Sequence, residues 1–112
     1  MAEYVLLFRG GQPQGSPEQL QQQMQRWTAW MKELADAGRL KNRGMPLERR
    51  TGRVVRGPTV TDGPYAEKDV VAGFTVIEAD SFEQAAQVAG ACPIHTNGGC
   101  VEVREALPLR PL

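Results

Sequence analysis

Few side chains in this sequence could move a proton near neutral pH, and two of them deserve weighing together: Asp62, in Thr61-Asp62-Gly63-Pro64-Tyr65, and His95, the single histidine. In an Asp-Gly-Pro turn the Asp carboxylate ordinarily accepts from the backbone N–H two residues on. Here that position is Pro64, which has no N–H. Asp62 is therefore expected either to cap the N–H of Tyr65 or Ala66 or to stand as a carboxylate open to a ligand, capping being the commoner use of Asp in turns. Were Asp62 and His95 to meet, the carboxylate would orient the imidazole for general acid–base work, and both are candidate catalytic residues on that ground. A lone loop histidine is more often simply solvated.

The spacing Cys92-x-x-His95-x-x-x-x-Cys100 offers two thiolates and an imidazole, donors that suit zinc, but it lacks an evident fourth ligand. Isolated cysteines more often pack as small apolar groups. No metal and no cofactor are expected. From Arg39 to Arg56 seven basic residues face one acid, Glu48. As a basic hairpin this stretch could grip phosphate or nucleic acid, yet it has no interleaved aromatics and reads better as one solvated face of a strand pair, so no nucleic-acid partner is expected.

These residues need a frame. Tyr4-Val5-Leu6-Leu7-Phe8 reads as a strand apolar on both faces. Ser16-Pro17-Glu18-Gln19 is a helix start with a capping box, and Leu20, Met24, Trp27, Met31 and Leu34 follow as one apolar stripe that stops at Gly38. Trp30 lies beside the stripe, either widening the buried face or walling a pocket. The turn signal Arg50-Thr51-Gly52, then Arg53-Val54-Val55-Arg56 and the breaker Gly57-Pro58, predicts a hairpin. Phe74 to Ala79 forms the central strand, and Asp80-Ser81 opens a second helix through Phe82, Ala85, Ala86 and Ala89 that Cys92-Pro93 closes. Ile94 to Gly99 reads as a loop. Cys100 to Arg104 alternates as a last strand, with Val101 and Val103 on one face and Cys100, Glu102 and Arg104 on the other. Two β-α-β halves of this kind make the ferredoxin-like α+β fold, an antiparallel sheet with helices on one face only. A first strand apolar on both faces then calls for a second subunit over the other, since leaving Tyr4, Leu6 and Phe8 in water would forfeit about 1.5–3 kcal/mol per side chain.

Length and charge set the outer bounds. The 112 residues amount to one domain, spanning 1–112, and thirteen basic against thirteen acidic side chains leave a formal net charge of zero, so no global field draws the chain to nucleic acid or an anionic membrane. No signal peptide and no membrane-spanning run is read, which makes the cytoplasm the expected compartment, with Cys92 and Cys100 reduced.

Thr61-Asp62-Gly63-Pro64-Tyr65-Ala66-Glu67-Lys68, followed by Gly73-Phe74, Glu78-Ala79-Asp80, Cys92-Pro93 and Gly99-Cys100-Val101-Glu102-Val103-Arg104, resembles the DGPF-type, YCII-related proteins over most of the chain. Tyr65 stands where Phe is usual and Asp69 where Glu is usual. The resemblance implies a ferredoxin-like domain that dimerises into an α+β barrel, and small-molecule chemistry; on the residues themselves, Asp62 and His95 are the pair that would act if they meet at the barrel mouth. Trp27, Trp30, Tyr65, Glu67, Lys68, Glu102 and Arg104 are the corresponding ligand-binding candidates. The alternative is a module that binds a small ligand, or assists a regulator, without turnover. Some members use a His on the first helix with an Asp near the end of the second; this chain has neither, so that dyad does not carry over.

Overall fold

The computed structural model describes residues 1–66 and 68–111. Strand β1 (Ala2–Arg9) leads into helix α1 (Pro17–Asp36), then β2 (Leu40–Pro46), a hairpin of β3 (Gly52–Arg56) and β4 (Thr59–Gly63), and β5 (Val71–Ala79). Helix α2 (Phe82–Gly90), a 3-10 turn (Pro93–Asn97) and β6 (Cys100–Glu105) complete the chain. The main sheet runs β2-β5-β1-β6, antiparallel throughout, so the two central strands come from different β-α-β halves: the ferredoxin-like order. The hairpin forms a separate two-stranded sheet.

Alternation decides which face each strand buries. Tyr4, Leu6 and Phe8 of β1 lie under the helices with Thr75, Ile77 and Ala79 of β5, and Leu6 and Ile77 are fully buried. Trp30, Leu34, Ala85, Ala89 and Ile94 close over them to make the core. Each of the larger apolar side chains, such as Leu6, Phe8, Leu34, Ile77 and Ile94, contributes about 1.5–3 kcal/mol by leaving water. The chain's own helices thus cover the three residues expected to need a second subunit. Val5, Leu7, Phe74 and Val76, of opposite parity, are half-buried on the other face and outside the core.

Helix α1 begins as the capping box predicts: Ser16 Oγ accepts from the Gln19 N–H at 3.2 Å, and Gln19 Oε1 accepts from the Ser16 N–H at 2.7 Å. It ends at Ala37 with Gly38 at φ 73°, the left-handed position that glycine takes without penalty. Its buried stripe is shorter than the sequence pattern. Trp30 and Leu34 are buried, Trp27 and Met31 half-buried, whereas Leu20 and Met24 are exposed. Trp30, placed beside the stripe by the spacing, is at its centre, with Phe8 edge-on at 6.0 Å.

Three further boundaries differ from the sequence reading. The hairpin turns at Gly57-Pro58 and pairs Gly52–Arg56 with Thr59–Gly63, whereas β2 pairs with β5, so Arg39, Lys41 and Arg43 do not belong to it. Helix α2 ends at Gly90, with Ala91 as its cap, before Cys92. Residues Pro93–Asn97 form a 3-10 turn because Ile94 has a core position to fill, only 2 % exposed, and Gly98 ends the turn at φ 77°.

Candidate functional site

Over the buried Phe8 and Thr75, the surface is indented between Trp27 and Met31 of α1 and residues 43–46 of β2. A cleft of about 420 Å3 remains, within the roughly 300–1,000 Å3 typical of small-molecule sites. Phe8 and Thr75 form its floor, Trp27 and Met31 of α1 one wall, and Ile94 of the 3-10 turn another. Phe8 and Trp27 meet edge to face at 4.9 Å, and Trp30 packs behind Trp27 at 5.8 Å, so the aromatic wall is braced from the core.

The opposite rim is an irregular piece of β2. Register slips between Asn42 and Met45, Asn42 Oδ1 accepts from the Gly44 N–H at 2.7 Å, and Gly44 adopts φ 67°. A Cβ there would overlap the Phe74 carbonyl oxygen and lie 2.6 Å from its carbon, so only glycine lets β2 come this close to β5. The displaced Arg43 carbonyl is not orphaned. It accepts from the fully buried Thr75 hydroxyl at 3.0 Å.

Polar groups enter the cleft at this rim. Arg43 and Arg49 line it, and they are the only ionisable side chains among the described lining residues. Arg49 is half-buried and donates through Nη1 to the Gly10 carbonyl at 2.6 Å, which ties the loop after β2 to the end of β1. Gly11 follows at φ 63°, and a Cβ there would sit 2.5 Å from Ile94 Cγ1, so this loop too approaches the cleft through a glycine.

The candidates from the sequence fall in different places. Trp27 lines the cleft, and Trp30 supports it from within the core. Asp62 belongs to β4; its side chain is 93 % exposed and faces Arg53 Nη1 at 3.5 Å. Among the described residues it accepts no hydrogen bond from Tyr65 or Ala66, so the expected cap is replaced by a strand position across from Arg53, followed by a cis Gly63-Pro64 peptide. Asp62 shares a shallow hollow with Arg49 and Arg50 and does not line the cleft.

His95 lines none of these cavities; its Nε2 lies 2.9 Å from the Ala89 carbonyl oxygen, tying the 3-10 turn to the end of α2. The structure does not bring Asp62 and His95 to one cavity. Cys92 is buried, and burial pushes its thiol up to about 11, so it stays protonated at neutral pH; Cys100 is exposed. Among the described residues no three His, Cys, Asp or Glu side chains group as metal ligands.

Tyr65 is 80 % exposed with the Arg56 guanidinium 5.5 Å above its ring, and Lys68 is exposed. Glu67 lies outside the described residues. Glu102 and Arg104 point to the uncovered sheet face, where Glu102 accepts from Arg9 Nε at 2.8 Å and faces Arg104 Nη1 at 3.4 Å. The hydrogen bond from Arg9 is the main reason the Glu102 carboxyl is held below its ordinary value.

Phe8, Gly44, Arg49 and Thr75 were missed as site residues. The one signal that could have pointed to them was Gly44, a glycine inside a strand, which marks a bulge or a close backbone approach. A second hollow, about 660 Å3, runs between the hairpin and the Arg9 and Val71 end of the sheet. Its hairpin wall carries Val55, 64 % exposed, and none of its side chains reaches the core cluster.

The YCII-related domain model matches residues 2–110. No curated protein matches significantly. Among solved structures, the chain is similar to the 5-chloro-2-hydroxyhydroquinone dehydrochlorinase of Burkholderia phenoliruptrix AC1100 in complex with 2,5-dihydroxybenzoquinone. The identity is 18%, with 90% of each chain covered and a TM-score of 0.49. No described helix is long and apolar enough to cross a membrane.

Proposed function

We propose that this chain, which belongs to the YCII-related family, binds a small organic molecule with a flat apolar body in the cleft between α1 and the sheet. The observation that carries this reading is the lining itself: an aromatic wall braced from the core, a floor of Phe8 and Thr75, and a rim drawn close to β5 at Gly44. Pockets of this kind, mostly apolar with a few convergent polar groups, are the usual form of a small-molecule site.

The same lining favours binding over acid–base turnover. A guanidinium does not give up its proton in proteins, so Arg43 and Arg49 can hold or polarise a ligand without exchanging protons with it. Asp62 and His95, the groups that could exchange one, are engaged elsewhere, at Arg53 and at the Ala89 carbonyl. The working unit in this reading is a homodimer, with Val5, Leu7, Phe74 and Val76 of the uncovered face packed against a second copy.

Titration with 2-naphthamide, a neutral flat probe, followed by calorimetry, tests the cleft. Saturable binding is expected, weakened about threefold to tenfold in Trp27→Ala, as loss of one aromatic contact predicts. Binding that Trp27→Ala leaves unchanged, or no saturable binding of either 2-naphthamide or 2-naphthoate, overturns the reading.

A further inference from the structure

Resting on the cleft proposed above, we infer that its ligand is an organic anion, an aromatic or otherwise flat carboxylate, enolate or phenolate whose charged end is received by Arg49 with help from Arg43. Among the described residues the ion pairs join Arg9 and Arg104 to Glu102, Lys32 to Asp36, Lys41 to Glu78, Arg50 to Glu48 and Arg53 to Asp62, and none of these cations lines the cleft. Arg43 and Arg49 make no such pair among the described residues. The described carboxylate that shares a hollow with Arg49 is that of Asp62, and it faces Arg53 instead.

Arg49 is also placed as a receptor would be. Its hydrogen bond to the Gly10 carbonyl fixes the guanidinium at the rim with one N–H, and the fork has four more. A half-buried cation beside apolar surface has lost part of its hydration, so an anion arriving there is bound more strongly than it would be at an exposed lysine. The half-buried Trp27, braced by Phe8, meanwhile suits a flat apolar body rather than a hydrated ion. The two demands together describe one ligand class. A neutral apolar molecule would leave the guanidinium unanswered, and a small inorganic anion would leave the aromatic wall empty.

Calorimetric titration of the full chain with 2-naphthoate and 2-naphthamide, which share shape and differ in charge, separates this inference from the cleft itself. Wild type should prefer 2-naphthoate by about tenfold, and the preference should shrink as salt is raised. Arg49→Gln should lower it to threefold or less while 2-naphthamide affinity stays within about threefold, which also reports that the variant is folded; Arg49→Lys should restore part of it. Equal affinity of wild type for the two probes overturns the inference and leaves the cleft standing. So does a preference that survives in an Arg43→Gln, Arg49→Gln double variant. The wild-type comparison needs no variant to fold.

Discussion

Gly44 is where the fold and the cleft depend on one missing side chain, and substituting it against a control isolates the cause. Gly38 and Gly44 sit at nearly the same backbone conformation, φ 73° and 67°, but a Cβ at Gly38 has nothing within 4 Å, whereas one at Gly44 overlaps the Phe74 carbonyl. Alanine in the left-handed region costs about 1–2 kcal/mol at either place. At Gly44 the overlapped atom is backbone in the central strand β5, so relief requires β2 to move away, and forced overpacking of this kind costs roughly 1–3 kcal/mol more. Gly38→Ala should therefore lose about 1–2 kcal/mol and Gly44→Ala about 2–5 kcal/mol. In urea, with a slope of about 1–3 kcal/mol per molar, the Gly44→Ala midpoint should fall below that of Gly38→Ala by very roughly 1 M at constant slope. Gly38→Ala should also keep 2-naphthamide binding and Gly44→Ala lose it, because the same displacement shifts the cleft's rim. Stabilities within about 0.5 kcal/mol of each other would refute the argument, since the difference it assigns to the clash lies above that level.

Two other outcomes follow from the sheet's uncovered face. Glu102 has its carboxyl held below the reference value of 4.5, mainly by the Arg9 hydrogen bond, so its contribution to stability is present above about pH 4.5 and is lost as pH falls through the lowered folded value. Melting curves taken from pH 6 down to 3 should therefore fall less steeply for Glu102→Gln than for wild type, and identical slopes would show that the pair carries no linkage. Light scattering after size exclusion should report a dimer at micromolar concentration and a monomer for Leu7→Lys, which sets a charge in the middle of the half-buried Val5, Leu7, Phe74 and Val76 patch; a wild-type monomer would refute the homodimer.

The architecture was legible because it rests on local signals that agree with one another. Ser16-Pro17-Glu18-Gln19 can do little but start a helix, and the alternation in Cys100–Arg104 matches its observed faces. Where the reading went astray, a tertiary competitor decided. Leu20 and Met24 continue the helical spacing perfectly well, but the helix runs past the core there, and no apolar surface is left for them to cover. Tyr4, Leu6 and Phe8 are indistinguishable from Val5 and Leu7 by composition, and only the placement of the helices shows which parity is already buried. Ile94 looked like part of a loop because periodicity cannot reveal a single residue plugging the core from a 3-10 turn.

The site was less legible for a reason that is itself structural. The most conspicuous stretch, Thr61 to Lys68, is conspicuous because it holds an Asp-Gly-Pro bend, and bends use the residue types that also do chemistry. In the fold it ends β4 and leaves Asp62, Tyr65 and Lys68 exposed on an arm. The cleft, by contrast, is assembled from Phe8, Trp27, Gly44, Arg49 and Thr75, which lie on five separate segments and form no spacing that a motif could capture. Their meaning comes from juxtaposition. Phe8 reads as core until Trp27 is found edge-on beside it, Gly44 as an imperfection in a strand until its approach to Phe74 is seen, and Arg49 as one member of a basic run until, among the described residues, Arg50 and Arg53 are found in ion pairs and Arg49 at the cleft. Basic runs are normally explained as solvated faces, and for Arg50, Arg53 and Arg56 that explanation holds. Arg49 differs from them through one hydrogen bond, to a carbonyl thirty-nine residues earlier in the chain, and that bond is what turns a surface charge toward an apolar cleft.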